Sequence, residues 1–127
     1  MSAAAEVQAA VVAALAGVPG LSGVFDGPPP RAAFPYVTIG EGLSIDAGTK
    51  TERGREHRVA LTAWDEAGRT ARLMAIADAI ERAIEALPPT LPSCRIASVA
   101  LIRSRIVRPP GGPWAAMVDY RVRTFGQ

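Results

Sequence analysis

The stretch from Gly54 to Pro89, GREHRVALTAWDEAGRTARLMAIADAIERAIEALPP, changes its periodicity within a few residues, and this change constrains the fold more than any other feature. Residues 55–64 alternate in polarity, which is typical of a strand with one covered face. Residues 70–87 instead place apolar side chains at helical spacing. The stretch therefore predicts a strand that turns at residues 65–68 into an amphipathic helix.

The predicted strand has two faces of different polarity. One face carries His57, Val59, Leu61 and Ala63, and the other carries Glu56, Arg58, Thr62 and Trp64. The helix that follows has an apolar stripe made of Leu73, Ile76, Ala77, Ile80, Ile84 and Leu87. Thr70 is the expected N-cap, because its hydroxyl can accept a hydrogen bond from a free amide of the first turn. The prolines of LPPTLP are expected to end the helix.

The N-terminal part predicts a helix and then a short extended piece. Residues 3–16 have apolar side chains at helical spacing, and glycine and proline follow them. An extended piece is expected around Val24 and Phe25. The triple proline at 28–30 is expected to form a stiff connector.

Two hairpins account for the remaining periodic segments. Residues 36–45 predict one strand, and the polar residues 46–54 predict a loop that joins it to the strand at 55–64. This first strand is expected to place Val37, Ile39, Leu43 and Ile45 on one face. Residues 95–107 and 114–125 predict the second hairpin, and a turn rich in proline and glycine joins them.

Each predicted hairpin has one apolar face, and each predicted helix has one apolar stripe. An α+β fold covers all of these surfaces: a four-stranded, mainly antiparallel sheet with two helices packed on one face, in the order α-β-β-α-β-β. The sequence of 127 residues shows no repeat and no linker, so we expect a single domain over residues 1–127.

The sequence gives no indication of a membrane contact. No apolar run reaches the ~20 residues that span a bilayer. The N-terminal helix lacks the basic segment of a signal peptide. Cys94 is the only cysteine, which excludes an internal disulfide and fits a reducing compartment.

The formal charge of +2 is unevenly distributed. Residues 1–94 carry eight Lys and Arg against eleven Asp and Glu, whereas residues 95–127 carry six Arg against Asp119 alone. The last strand places Trp114, Val118, Tyr120 and Val122 on one face and Met117, Asp119, Arg121 and Arg123 on the other. Two interpretations stay open: a surface that attracts phosphates, or the solvated face of a sheet.

The sequence contains no recognisable catalytic or metal-binding constellation. His57 is the only histidine, and its place on the apolar face favours a buried structural role. Asp65 and Glu66 are adjacent in a turn, where carboxylates usually serve capping and solvation. Ser93 and Cys94 have no nucleophile motif around them, and the glycines match neither a phosphate loop nor a dinucleotide fingerprint. We therefore expect no enzymatic activity, no cofactor and no metal.

Three stretches, GREHRVALTAWDEAGRTARLMAIADAIERAI, YVTIGE and MVDYRVRT, share their pattern with one known family. Together they resemble the tail-completion or tail-terminator family of long-tailed phages and phage-derived gene transfer agents. The resemblance extends from Ala5 to Phe125. It consists of packing patterns, in which a strand and a short turn precede a helix with an Ala/Ile stripe.

The resemblance implies a structural protein that assembles into a homohexameric ring. Such a ring caps the head-proximal end of the tail tube, ends tube growth and joins the tail to the head-completion or stopper protein. DNA passes through its lumen without sequence specificity. The resemblance also implies a place in the tail of a virion or gene transfer agent, after assembly in the bacterial cytoplasm.

Two groups of basic residues are candidate contacts in this ring. The loop between the first two strands carries Lys50, Arg53 and Arg55, which we expect to face the lumen or a partner. A possible basic interface on the C-terminal hairpin consists of Arg103, Arg105, Arg108, Arg121 and Arg123. For the loop, the other interpretation is a solvated turn without a partner.

The alternative function is a small nucleic-acid-binding module that uses the arginine-rich C-terminal hairpin. Binding of single strands usually combines arginines with aromatic side chains that stack on bases. Trp114 and Tyr120 fall on the apolar face of their strand, so we expect them in the core.

Overall fold

A six-stranded sheet forms the frame of the structure, and two helices pack on one of its faces. The computed structural model describes residues 1–27, 29 and 31–126, so the connector expected at 28–30 lies mostly outside the described residues. The elements are α1 (Ala3–Leu15), β1 (Val24–Asp26), β2 (Tyr36–Ile39), β3 (Leu43–Asp46), β4 (Gly54–Asp65), α2 (Thr70–Glu85), β5 (Arg95–Val107) and β6 (Trp114–Phe125). The predicted α+β class is confirmed.

The strands lie in the order β1-β2-β4-β6-β5, and β3 pairs with β4 beside the end of β2. All pairs are antiparallel except β1 and β2, which are parallel. β2 pairs with the last part of β4, and β3 pairs with its first part. The long strands β4 and β6, at the centre, therefore carry most of the sheet.

The sheet has six strands rather than the predicted four, and a bulge accounts for one of the two additional strands. Ile39 pairs with Leu61 and Leu43 pairs with Arg58, so residues 40–42 lie opposite only two residues of β4. The additional residue interrupts the ladder and divides the predicted strand 36–45 into β2 and β3. The other additional strand is β1, formed by the extended piece expected around Val24 and Phe25.

The same bulge makes the predicted face of β3 wrong. One additional residue reverses the alternation of side chains that follow it. Val37 and Ile39 are buried as expected, whereas Leu43 and Ile45 lie on the opposite face and are 58% and 46% exposed.

The start of α2 also differs from the prediction. Thr70 lies inside the helix, and Arg69 occupies the N-cap position without a side-chain hydrogen bond to the helix. Asp65 organises the turn instead, because its carboxylate accepts hydrogen bonds from Arg72 and from the amide of Glu66. The strand and the helix are thus joined by a charged contact.

The core lies between the helices and the side of the sheet that faces them, here called the covered face. Its fully buried members include Leu15, Leu61, Leu73, Ile80, Ile84, Val118 and Val122. Full burial of such a side chain contributes about 1.5–3 kcal/mol. Tyr120 is buried among them, and its hydroxyl donates to Glu85 Oε2 at 2.6 Å. Within the described residues, neither helix has the length and hydropathy of a membrane span.

A buried carboxylate anchors α1. Glu6 accepts hydrogen bonds from the amide of Ser93 at 3.0 Å and from Cys94 Sγ at 3.6 Å. The hydrogen bonds from Ser93 lower the pKa of Glu6, so the carboxylate is charged at neutral pH. This contact fixes the first helix to the segment that leads into β5.

Candidate interaction surfaces

The side of the sheet that faces away from the helices, here called the bare face, carries most of the charged side chains of the strands. Because side chains alternate along a strand, the residues between those of the covered face point to this side. Its charged members on the long strands are Glu56, Arg58, Arg103, Arg105, Asp119, Arg121 and Arg123. Four of the five arginines of the predicted interface therefore share one face, as their spacing suggests.

Glu56 is the centre of the bare face. Its carboxylate lies 3.3 Å from Arg58 Nη2, 3.3 Å from Arg123 Nε and 4.0 Å from Arg121 Nε. Burial raises the pKa of this carboxyl, but the hydrogen bonds from Arg58 and Arg123 outweigh it and the pKa is lowered. One carboxylate thus partly neutralises three guanidinium groups.

The remaining arginines of the hairpin have different surroundings. Arg103 donates to Asp119 Oδ2 at 2.8 Å. Arg105 is exposed and forms no ion pair with any described residue. Arg108 is not on the bare face but lies over the Trp114 ring, 5.0 Å from its centroid, at the β5–β6 turn. With five arginines against Glu56 and Asp119, the bare face keeps a basic surplus of three charges.

The loop between β3 and β4 forms the second basic group. Glu52 accepts a hydrogen bond from Arg95 Nη2 at 3.0 Å, which ties the loop to β5, and this contact lowers the pKa of Glu52. Lys50 and Arg53 lie in the loop, whereas Arg55, predicted to belong to it, is the second residue of β4; all three are exposed, and none of them forms an ion pair within the described part of the chain. The loop is therefore held by Glu52 while its cations face solvent.

The structure does not bring the two basic groups together at one point. The loop lies at the end of the sheet where Gly54 pairs with Phe125. Arg108 follows the opposite end, where Val107 pairs with Ala115. The arginines of the bare face lie between these ends, so basic side chains extend along the whole length of the strands.

His57 has the structural role that the sequence predicts. It is 3% exposed, with Nδ1 3.1 Å from Ser44 Oγ and Nε2 2.9 Å from Thr124 Oγ1. Burial lowers its pKa, and the charge of Arg55 lowers it further. Both ring nitrogens are within hydrogen-bonding distance of hydroxyl groups, and a cleft of about 220 Å³ between α1 and β3 borders the ring.

Sequence reasoning missed the apolar side chains on two strand edges. Leu43 and Ile45 of β3 are exposed, and so are Leu101 and Ile102 of β5. The only hint in the sequence is GEG at 40–42, because a charged residue between two glycines interrupts the alternation where the bulge occurs.

The fold and its surfaces define a class of protein. No group of three or more His, Cys, Asp or Glu in the described residues is placed to hold a metal ion. The sheet presents a charged bare face and open edges, both of which can contact other protein chains. The sequence matches the family described as Tail completion protein gp17 over residues 2–124. The chain belongs to this family of phage tail structural proteins, and the resemblance found in the sequence is confirmed.

The fold is also similar to that of a chain in a solved particle. That structure is described as "Virion of native gene transfer agent (GTA) particle". The two chains are 27% identical, the likeness covers 98% of this chain and 96% of that chain, and the TM-score is 0.72. No curated protein shows significant sequence similarity to the chain.

Proposed function

We propose that the chain forms a homohexameric ring at the head-proximal end of a tail tube. The ring ends tube growth and joins the tail to the head-completion or stopper protein, in a virion or gene-transfer-agent tail assembled in the bacterial cytoplasm. The observation that carries this proposal is the family match over residues 2–124, together with a likeness to a gene-transfer-agent virion chain along almost the full length of both chains.

The charge of the bare face supports a role in DNA passage. A lumen that lets DNA slide should attract phosphates weakly, because strong neutralisation of phosphates would hold the DNA in place. Glu56 offsets part of the charge of Arg58, Arg121 and Arg123, and Asp119 does the same for Arg103. What remains is a modest surplus, to which Arg105 contributes without an internal partner.

The two ends of the sheet supply different surfaces for different neighbours. One end carries the loop with Lys50 and Arg53 and, beside it, Arg55 of β4, and the other carries the β5–β6 turn with Arg108. A ring that joins a tube to a head needs two unlike contact surfaces. We assign one end of the strands to the tail tube protein and the other to the head-completion protein.

The first test is the molar mass of the purified protein by light scattering over a concentration series, with electron micrographs of any large species. Hexameric rings with a central hole are the expected result, either for the protein alone or after addition of the tail tube protein. Tubes that continue to grow in the presence of the protein, without a terminal ring, would contradict the proposal.

The basic surplus also favours the alternative function of a nucleic-acid-binding module. In that case the monomer should bind DNA with an affinity that falls steeply as salt increases. Tyr120 belongs to the core and is not available to stack on bases, whereas Trp114 is partly buried against the core and has Arg108 over its ring. A monomer without measurable DNA affinity would exclude the alternative and leave the ring proposal in place.

A further inference from the structure

The bare face places two arginines directly opposite each other. Arg58 of β4 and Arg121 of β6 are paired residues of the antiparallel ladder, so their side chains leave the sheet side by side. Like charges at such positions destabilise a sheet, because they repel each other across a short distance. Arg123 lies two residues further along β6, about 7 Å away. Three guanidinium groups are thus close together on an exposed surface.

One carboxylate beneath these groups offsets only part of their charge. The side chain of Glu56 is 9% exposed. The side chains of Arg58, Arg121 and Arg123 are 44%, 45% and 50% exposed, so the guanidinium groups lie between the carboxylate and solvent. Glu56 accepts hydrogen bonds from Arg58 Nη2 and Arg123 Nε, and no described residue accepts one from the other side-chain N–H groups of the three arginines. These donors are available to an anion that approaches from solvent.

The basic charge continues along the strands beyond this group. Arg103 and Arg105 of β5 lie on the same face. The rows of this face from Met117 to Arg123 of β6 extend about 20 Å. Duplex nucleic acid carries about 12 phosphates along that length of its axis. A polyanion of this kind can contact all five arginines at once, whereas a single small anion can contact only the arginines around Glu56.

The arrangement of the bare face favours nucleic acid over an acidic protein as its partner. The centre of a protein–protein interface is depleted in charged side chains, whereas interfaces with nucleic acids are more polar and strongly positive. On this face the arginines occupy the central strands β4 and β6, and the exposed apolar side chains of Leu43 and Ile45 lie on the edge strand β3. Arginine also suits phosphate, because it can donate two parallel hydrogen bonds to its oxygens.

We infer that Arg58, Arg121 and Arg123 form a binding site for backbone phosphates of duplex DNA, and that Glu56 is an internal competitor that weakens this binding. A phosphate that contacts Arg58 or Arg123 has to share the guanidinium group with the carboxylate. Each contact is therefore weak and short-lived, which suits DNA that moves past the site. Only the identification of this polyanion as the DNA in the tail rests on the proposed function.

Binding of a fluorescent DNA duplex, measured by anisotropy from low to physiological salt, tests the site. Glu56→Gln should bind several-fold more tightly than the wild-type protein. Its plot of log affinity against log salt should be steeper by about 0.9, the slope that one phosphate contact contributes. Asp78→Asn is the matched control, because it removes the same charge from an exposed residue of α2 that has no ion pair with a described residue. It should change the affinity far less.

Arg121→Gln is a second variant, needed because Glu56→Gln is also expected to destabilise the sheet. Arg121 Nε is the farthest of the three groups from the carboxylate, at 4.0 Å, so its removal leaves both closer ion pairs in place. Arg121→Gln should keep the wild-type circular dichroism spectrum, bind DNA more weakly and lower the slope by about 0.9. In the double variant the gain from Glu56→Gln should be smaller, since one of the arginines beside the carboxylate is missing.

Three results would overturn this inference. Equal gains in Glu56→Gln and Asp78→Asn would assign the effect to net charge alone. Absence of DNA binding by both the wild-type protein and Glu56→Gln at low salt would remove the site. Tighter binding of poly-glutamate than of DNA at equal charge would assign the surface to an acidic protein. None of these results affects the rings expected by light scattering and microscopy, and absence of rings beside a confirmed phosphate site would contradict the proposed function alone.

Discussion

Arg72, in the first turn of α2, binds both carboxylate oxygens of Asp65 at the end of β4. The distances are 2.7 Å from Nε to Oδ2 and 2.6 Å from Nη2 to Oδ1. Asp65 is fully buried, and the hydrogen bonds from Arg72 are the main reason why its pKa is lowered. The place where the sequence changes from strand to helical periodicity is thus fixed by a bidentate ionic contact.

Asp65→Asn should weaken this junction. An amide keeps the shape of the side chain but loses the charge that Arg72 requires. We expect a loss of about 1–2 kcal/mol in the free energy of unfolding, at the low end because the Arg72 side chain is 42% exposed and solvent screens the pair. Urea unfolding of the variant and of the wild-type protein measures this loss in the free energy of unfolding. Glu66→Gln, at a half-exposed carboxylate, is the control and should cost less; equal losses would contradict the assignment.

His57 should make stability depend on pH in mildly acidic solution. Its pKa is lowered in the folded protein by burial and by Arg55. In the unfolded chain it binds a proton near its ordinary value of about 6.5. The unfolded state therefore takes up more protons as pH falls, and the free energy of unfolding decreases below about pH 6.5. Denaturation curves between about pH 5 and 7 should show this slope, and His57→Gln should flatten it; an unchanged slope in the variant would assign the effect elsewhere.

Gly54 at the start of β4 should not tolerate a side chain. A Cβ at this position would lie 2.8 Å from the Ala47 carbonyl oxygen and 2.8 Å from the Phe125 ring. Gly54→Ala should therefore cost about 1–3 kcal/mol, as other overpacked sites do. Gly42→Ala is the matched control, because nothing lies within 4 Å of a Cβ there. Thermal unfolding of both variants compares them, and similar midpoints would refute the close approach.

Glu56→Gln should destabilise the bare face. Removal of the carboxylate charge leaves Arg58, Arg121 and Arg123 close together without a counter-charge. The midpoint of thermal unfolding should fall, and added salt should restore part of it by screening the repulsion. Arg105→Gln removes a charge without an internal partner and should leave the midpoint unchanged. A salt-independent loss in Glu56→Gln would point to packing rather than charge.

Charge reversal in the β3–β4 loop should separate function from folding. Lys50→Glu and Arg53→Glu, singly and together, should change the free energy of unfolding by no more than about 0.5 kcal/mol per site, as is usual for exposed positions. Particle assays should show reduced infectivity or gene transfer, since DNA passage or docking is impaired. Arg31→Glu reverses a charge outside both basic groups and serves as the control. Full activity of the double variant would remove the loop from the proposed contact surface.

Regular alternation explains which parts of the fold could be predicted from the sequence. The strands 95–107 and 114–125 have the predicted bounds, and α2 follows its apolar stripe. The bulge at residues 40–42 could not be predicted, because a single additional residue does not change composition and only weakly disturbs the pattern. It nevertheless turns the side chains of Leu43 and Ile45 to the opposite face of the sheet. Strand β3 therefore carries exposed apolar side chains.

The sequence predicts which face the basic residues of the candidate surfaces occupy, but it does not predict which residues they contact. Spacing places Arg121 and Arg123 on the polar face, yet it cannot show that both approach Glu56 from another strand. The prediction that Thr70 is the N-cap was wrong for the same reason. The contact between Asp65 and Arg72, which fixes the start of α2, forms only after the chain has turned. Ion pairs between residues that are distant in the sequence decide which charged side chains remain free to bind a partner. The spacing of residues in the sequence does not predict these pairs.

The bond between Glu6 and Ser93 joins residues 87 positions apart, and this separation has a consequence for synthesis. A ribosome makes the chain from its N-terminus, so α1 emerges long before the segment that satisfies its buried carboxylate exists. Non-local contacts of this kind form late and slow folding. Throughout most of translation the first helix therefore has no docking site, and its apolar side has to be kept from aggregation until the second half of the chain has left the exit tunnel.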